Sequence, residues 1–466
     1  MRRMFATRGI PRRIVVAWAG AAGAAAIAAG VLVFGSGAPD ADARIAGAPL
    51  MSDANHGGGA EHSPVGSIAP ASEVAAFANL AETTPATLAK PKTLAATAVP
   101  AIDLDRVVRS GDDYVVTLGD GRRAVLTLDP GLQELAEKLL EESRAPRGAI
   151  VAMAPDGRIL ALAGRKTKQP NGSREGTFDW RIAADAWAPA ASVFKLVTAS
   201  ALVNAGVDPD AKVCYHGGIR SVLEHNLRDD KRDSRCDSLG YGVAHSNNAI
   251  LGKLAFQSLE PKALEAQART LGWTDPLPAT LAISGSVGGL VVPPGRDLEF
   301  AKTAAGFSSD AKLSVVGGAI VAATFAGDGE QPMPRLVASI DGRAIAAAPA
   351  RRALSTETAR AIARMMVATC DAGSASKSFG RGADKIRVAG KTGTLARTEP
   401  FFMEHSWFVG YAPATKPEII VSVLFGNSEN WRLRGHEAAR RLIDHVVRPG
   451  RDKRRVSRRD ATRSRS

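Results

Sequence analysis

The strand-forming runs of this chain lie near the two ends of its apolar-patterned stretch, and the residues between them read as mainly helical. Tyr114–Leu118 and Ala124–Leu128 flank Gly119-Asp120-Gly121, a hairpin signal. Ala149–Met153 and Ile159–Ala163 flank Asp156-Gly157, a second hairpin. Between the two, Asp129-Pro130 opens an amphipathic helix over Leu132–Leu140. At the far end Ile386–Thr394, Ser406–Tyr411 and Glu418–Phe425 read as strands, followed by a helix over His436–Val447. Up to about residue 370 the intervening pattern is helical, with Thr198–Val203 and Ala359–Val367 showing apolar residues at helical spacing. A sheet here has to join both ends of the chain, so the pattern predicts one α/β sandwich.

The formal net charge of +13 first suggests a nucleic-acid partner, but the charge sits at the termini. Residues 1–13 carry five arginines and no acid, and residues 448–466 carry nine basic residues against Asp452 and Asp460. The stretch between is close to neutral, and no nucleic-acid partner is expected of it. Residues 14–34 are uncharged and form about 31 Å of helix at ~1.5 Å per residue, the thickness of a hydrocarbon core. They read as a single-pass anchor in the inner (cytoplasmic) membrane, with the preceding arginines cytoplasmic and the body periplasmic or extracytoplasmic. A signal peptide cleaved at Ala41-Asp42-Ala43 is the alternative, although signal h-regions run only ~7–15 residues. Residues 36–100, with seven prolines and His56-Gly57-Gly58-Gly59, read as a disordered, flexible linker. The resulting plan is a basic segment and transmembrane helix over 1–35, a linker over 36–100, a folded domain over 101–447 and a basic disordered tail over 448–466.

Export bears on the cysteines. Cys214 and Cys236 share one polar segment, and an oxidising compartment favours a disulfide between them. His216 and His225 lie in the same segment, so a Cys₂His₂ zinc site is the alternative, at a spacing unlike standard fingers. Cys370 follows an apolar helical pattern and reads as a buried thiol.

Three short motifs carry the chemistry. Ser192-Val193-Phe194-Lys195 places a serine and a lysine three residues apart at the start of an apolar helix, on one face. Taken alone it reads as a helix cap and a surface lysine, and Ser309–Lys312 and Ser374–Lys377 repeat the pattern in short polar stretches. Ser246-Asn247-Asn248 follows, and a second S-x-N, Ser428-Glu429-Asn430, falls out of order. Lys391-Thr392-Gly393-Thr394 ends a strand, with a cation for a carboxylate, two hydroxyl donors and a glycine where a substrate backbone can approach.

This set, in this order, resembles the S-x-x-K, S-x-N and K-T-G signature of penicillin-binding transpeptidases and serine β-lactamases. Leu126-Thr-Leu-Asp-Pro before the first helix and Ser406-Trp-Phe-Val-Gly-Tyr after the K-T-G strand extend the likeness over about residues 124–447. The resemblance implies a β-lactamase/transpeptidase-like fold, an antiparallel sheet flanked by helices, and no cofactor or metal. It implies Ser192 as nucleophile, Lys195 as base, Ser246 as proton relay and Asn248 as a holder of a substrate amide or of the lysine. Lys391, Thr392, Gly393 and Thr394 become the substrate-binding strand, and the N–H groups of Ser192 and Thr394 the oxyanion hole. The expected activity is a peptidoglycan D,D-transpeptidase acting on D-Ala-D-Ala stem peptides and trapped by β-lactams. A D,D-carboxypeptidase or a β-lactamase is the near alternative, though no E-x-x-L-N glutamate lies between the second and third motifs. A non-catalytic penicillin-binding sensor or a structural pseudo-enzyme is the alternative of another class. Ala191 stands where the family usually has glycine, a change expected to be tolerated.

Overall fold

The computed structural model describes residues 93–95, 99–380 and 386–448. The expected membrane span, most of the expected linker and the basic tail lie outside the described residues. Among those described, no helix is long and apolar enough to cross a membrane.

One antiparallel sheet organises the domain. Its strands are β1 (Arg147–Met153), β2 (Ile159–Lys166), β3 (Thr177–Phe178), β4 (Ala389–Arg397), β5 (Met403–Ala412) and β6 (Ile419–Asn427), in the spatial order β4-β5-β6-β1-β2-β3. The two ends of the chain meet where β6 pairs β1, with Val423 opposite Ile150. Its principal helices are α1 (Pro130–Ser143), α2 (Lys195–Asn204), α3 (Asn248–Ser258), α4 (Val315–Ala326), α5 (Thr356–Asp371) and α6 (Gly435–Val447).

Strand periodicity assigns each side chain to a layer. Ile150, Ala152, Phe408, Val421 and Val423 pack beneath α1 and α6. Val151, Met153, Val409, Ile420 and Leu424 point the other way, into the core shared with α2, α4 and α5. Both faces are covered, which is why the strands read as continuous apolar runs rather than as alternating ones. Each fully buried aliphatic side chain contributes roughly 1.5–3 kcal/mol, so neither face could be left to solvent.

Local signals set the helix starts. The Asp129 carboxylate accepts from the Leu132 N–H at 2.8 Å, with Pro130 in the first turn of α1. Ser355 caps α5 in the same way, accepting from Thr358 N–H at 3.1 Å. In α4 every residue from Val315 to Phe325 is buried, as an all-round apolar helix requires.

The middle of the chain is less uniformly helical than its periodicity predicts. Val337–Ile340 leaves it to pair with Arg123–Leu126, extending the first hairpin into a five-stranded sheet. Order also reaches into the stretch read as linker, where Leu94 bridges Ile345 and its N–H donates to the Ala344 carbonyl at 2.9 Å. Cys214 and Cys236 form a disulfide across the antiparallel pair Lys212–Tyr215 and Arg235–Ser238. With both sulfurs so engaged, His216 meets Asp233 at 2.6 Å. The buried Lys253 of α3 ties this segment to the body through Asp233 at 2.6 Å and the Cys214 carbonyl at 2.8 Å.

Candidate active site

The three motifs converge from a tight turn, a loop and an edge strand. Ser192 lies in a 3₁₀ turn, Ala191–Phe194, that leads into α2, so it precedes the α-helix that its sequence suggested it would open. Val193 and Phe194 are buried, with the Phe194 ring edge-on to Trp273 at 5.2 Å. Trp407 on β5 donates its indole N–H to the Pro189 carbonyl at 2.9 Å, fixing the chain just before the turn. Ala191 has φ +51°, a left-handed conformation that costs an L-residue about 1–2 kcal/mol. Gly306 lies against it, and a Cβ there would come within 2.3 Å of the Ala191 carbonyl oxygen.

Lys195 is fully buried, with Nζ 3.0 Å from Ser192 Oγ, 2.6 Å from Asn248 Oδ1 and 2.5 Å from the Ala305 carbonyl oxygen. Burial holds its pKa well below the ordinary lysine value, and the neighbouring Lys391 cation pushes the same way. A neutral amine has two hydrogens and one lone pair. The Asn248 and Ala305 oxygens can only accept, so they take both hydrogens, and the lone pair is left for the Ser192 hydroxyl to donate into.

The second motif follows the helix Leu239–Ala244. Ser246 also has positive φ, +57°, and Asn247 caps α3 by accepting from the Ile250 N–H at 3.3 Å. The cap sets the start of α3, from which Asn248 reaches Lys195. At the rim Tyr241 and His245 stack at 4.1 Å.

The third motif sits inside β4 rather than at a strand end, because β4 starts at Ala389 and runs on to Arg397. Lys391 is buried, and its Nζ donates to Ser246 Oγ and to the Thr392 carbonyl, both at 3.0 Å. Burial lowers its pKa to about 7, against a smaller opposing effect of the Cys370 sulfur. Gly393 also meets a close approach within the protein: a side chain there would lie 3.0 Å from the Ala190 carbonyl oxygen and 3.2 Å from Val193 Cγ2. Its missing side chain lets β4 close on the turn that carries Ser192. Thr392 is half-buried and Thr394 exposed, facing a cleft of about 850 Å³ that Ser192, Ser246 and Asn248 also line.

Of the repeated S-x-x-K motifs, that of Ser374 reaches this site. Its Oγ lies 2.6 Å from Thr392 Oγ1, and its N–H donates to the Ala244 carbonyl at 3.0 Å. It bridges the second motif's helix and the K-T-G strand, a placement without a local sequence signal. Ser309 and Lys312 line a separate groove instead, and Ser428 to Asn430 line a third, smaller pocket.

Comparison with known proteins identifies the family. Residues 148–444 match the penicillin binding protein transpeptidase domain. The chain is 29% identical over 340 residues to the peptidoglycan D,D-transpeptidase PbpA of Mycolicibacterium smegmatis, covering 64% of this chain and 66% of that one. It is 27% identical over 338 residues to the PbpA of Mycobacterium tuberculosis, at 65% and 66% coverage. It therefore spans just under two thirds of these relatives' length. Among solved structures, the ceftriaxone acyl-enzyme complex of penicillin-binding protein A from M. tuberculosis superposes with a TM-score of 0.55 at 24% identity, covering 70% of this chain and 80% of that one. That likeness speaks for the fold alone. The family match, which takes in all three motifs, decides the assignment: this chain belongs to the penicillin binding protein transpeptidase domain family.

Proposed function

We propose that the chain is a peptidoglycan D,D-transpeptidase that cross-links stem peptides through an acyl-enzyme on Ser192. The observation that carries the reading is the hydrogen-bond allotment around Lys195, which leaves a neutral amine's lone pair to a serine 3.0 Å away. In the first step Ser192 Oγ attacks the carbonyl of the penultimate D-Ala while Lys195 takes the hydroxyl proton. Backbone N–H groups of Ser192 and Thr394 receive the developing oxyanion, where one such donor is typically worth ~10²–10³ in rate. Ser246, hydrogen-bonded by Lys391, delivers a proton to the leaving D-Ala amine as the peptide bond breaks. Lys391 with the Thr392 and Thr394 hydroxyls grips the substrate's terminal carboxylate. An amine of a neighbouring stem then takes the acyl group and frees Ser192.

None of the described residues that line the cleft is an aspartate or glutamate, which leaves no lining carboxylate to activate water. This argues against a β-lactamase of the kind that activates its water with a glutamate. The names of the PbpA relatives and the β-lactam acyl-enzyme of the M. tuberculosis homologue point the same way. We place the enzyme on the outer side of the cytoplasmic membrane, anchored by residues 14–34, on the strength of that segment's length and flanking arginines.

The test is intact-mass measurement of the full-length chain with penicillin G over hours, beside Ser192→Ala. A lasting adduct, absent only in Ser192→Ala, is the expected result. Rapid turnover to the ring-opened drug assigns a β-lactamase instead, and absence of any adduct overturns the acyl-enzyme reading. Release of D-Ala without transfer to an added amine assigns a carboxypeptidase.

A further inference from the structure

The segment between Cys214 and Cys236 is laid along α3, the helix that begins at Asn248. A side chain at Gly252 would come within 3.0 Å of Val222 Cγ1, and one at Gly218 within 3.3 Å of the Ala249 Cβ. Ala249, Gly252 and Lys253 share one face of α3 by their spacing, and that face carries the segment. Lys253 is fully buried there. Its Nζ donates to Asp233 Oδ2 at 2.6 Å and to the Cys214 carbonyl at 2.8 Å, and it pairs with Asp229 at 2.9 Å. One ammonium therefore grips both limbs of the loop that the disulfide closes, with an acceptor for each of its hydrogens.

The same segment reaches the catalytic residues. Asn248 is the first residue of α3, so its N–H has no partner within the helix. That N–H donates to the Ile219 carbonyl at 3.0 Å, while the Asn248 Oδ1 accepts from Lys195 at 2.6 Å. Ile219 and Arg220 also line the cleft beside Ser192. Yet the segment has little core of its own: of residues 216–234 only Val222, Asn226 and Leu227 are buried. Apolar burial alone cannot hold Ile219 in place, so its position depends on the disulfide and on Lys253. Cys236 is exposed, within reach of an attacking thiolate.

We infer that the disulfide-closed segment is a positioning element of the active site. Through Lys253 and the Ile219–Asn248 hydrogen bond it holds the Asn248 amide on Lys195, and acylation of Ser192 is fast only while Cys214 and Cys236 are joined. The inference rests on the acyl-enzyme reading above and adds a redox control to that site. The reductant is a dithiol: it supplies two electrons and two protons, the S–S bond breaks, both cysteines become thiols and the dithiol leaves as its own disulfide. Opening the loop frees the two limbs that Lys253 grips, and the Ile219 carbonyl is no longer fixed against Asn248. The loss at the nucleophile is the Asn248 hydrogen bond that helps to aim the Lys195 lone pair, worth about fivefold in rate.

The test treats the full-length chain with dithiothreitol, removes the reductant and measures acylation by penicillin G. Alkylation of a parallel sample and its intact mass count the opened cysteines, and the drug-concentration dependence separates the acylation rate constant from non-covalent affinity. Wild type, Lys253→Met and Asn248→Ala are compared, with and without reduction. With the disulfide open, the wild-type rate constant is expected to fall about fivefold or more, with affinity held within about twofold, and to recover on reoxidation. Lys253→Met shows a similar fall with the disulfide intact. Asn248→Ala is slow from the start, and reduction lowers its rate constant by less than about twofold, whereas a general loosening of the fold would slow it by the same factor as the wild type. Wild-type acylation unchanged with the disulfide open overturns the inference, and so does an equal proportional fall in Asn248→Ala. Loss of the cooperative urea transition on reduction overturns it as well, because the disulfide then holds the fold rather than the site. Failure of the oxidised wild type to take penicillin at all refutes instead the acyl-enzyme reading on which the inference rests.

Discussion

Replacing Lys391 by methionine tests whether the burial of its ammonium costs the fold what the geometry implies. The side chain is fully buried, and burial lowers its pKa from the ordinary 10.5 to about 7. The unfolded chain binds the proton as pH falls below 10.5, whereas the folded chain binds it only near pH 7. Native stability therefore falls as pH drops through that window and levels off below it. At ~1.4 kcal/mol per pH unit the penalty is roughly 4 kcal/mol at pH 7 and roughly 1 kcal/mol at pH 10. Lys391→Met removes the penalty and forfeits the hydrogen bonds to Ser246 Oγ and the Thr392 carbonyl, at ~1 kcal/mol each. The variant is expected to be about 2 kcal/mol more stable than the parent at pH 7 and about 1 kcal/mol less stable at pH 10. The swing of ~3 kcal/mol does not depend on the value given to the hydrogen bonds, and groups remote from Lys391 cancel between the two proteins. Urea denaturation at both pH values, followed by tryptophan fluorescence, measures it. A stability difference unchanged between pH 7 and pH 10 refutes the argument.

Three further outcomes are expected. Ser374→Ala removes the partner of the Thr392 hydroxyl, worth ~1 kcal/mol, and should raise KM for a D-Ala-D-Ala peptide about fivefold with kcat little changed; an unchanged KM removes Ser374 from the site. Ala191→Gly relieves the φ of +51°, and the relief exceeds the added freedom of the unfolded chain by about 0.5 kcal/mol, so thermal unfolding should move to slightly higher temperature. Cys236→Ser opens a loop closed by a disulfide spanning 22 residues and should cost ~3 kcal/mol on the loop-entropy relation; added reductant should then have no further effect on the variant's melting temperature.

How much of this could be read from sequence follows from how local each cause is. Strands β1, β2, β5 and β6 were legible because burial on both faces demands long apolar runs, and α1 because Asp129-Pro130 caps it within one turn. The Ser192–Lys195 geometry was legible for the same reason, since an i to i+3 spacing on helical backbone is local. Val337–Ile340 was missed because its partners lie at Arg123–Leu126, and a four-residue strand carries little pattern of its own. The close approach of Gly393 to the Ala190 carbonyl has no sequence signal, because no spacing reports a contact between segments so far apart. Ser374 sits in a short polar stretch that gives no local reason to single it out, and its place in the site comes from a tertiary contact with Thr392. Chemistry carried by consecutive residues was visible; chemistry assembled by the fold was not.

On the proposed mechanism the two buried lysines also set the pH range of acylation. Lys195 must be neutral to take the Ser192 proton, so acylation falls as pH drops through its pKa. Burial depresses that pKa first, and the charge on Lys391 depresses it further. Lys391 becomes charged below about pH 7, and that charge keeps Lys195 neutral into more acidic solution. Removing it in Lys391→Met leaves only burial acting on Lys195, so its pKa rises and the acid limb of penicillin acylation moves to higher pH. The drug's own carboxylate titrates far below this range and is the same for both proteins. Rate constants for acylation across the acid range, normalised to each protein's plateau, separate the shift in pH from the lower plateau expected when the carboxylate grip is lost. An acid limb at the same or lower pH in the variant means that Lys391 does not tune Lys195, and the lysine's neutrality then rests on burial and the Asn248 and Ala305 acceptors alone.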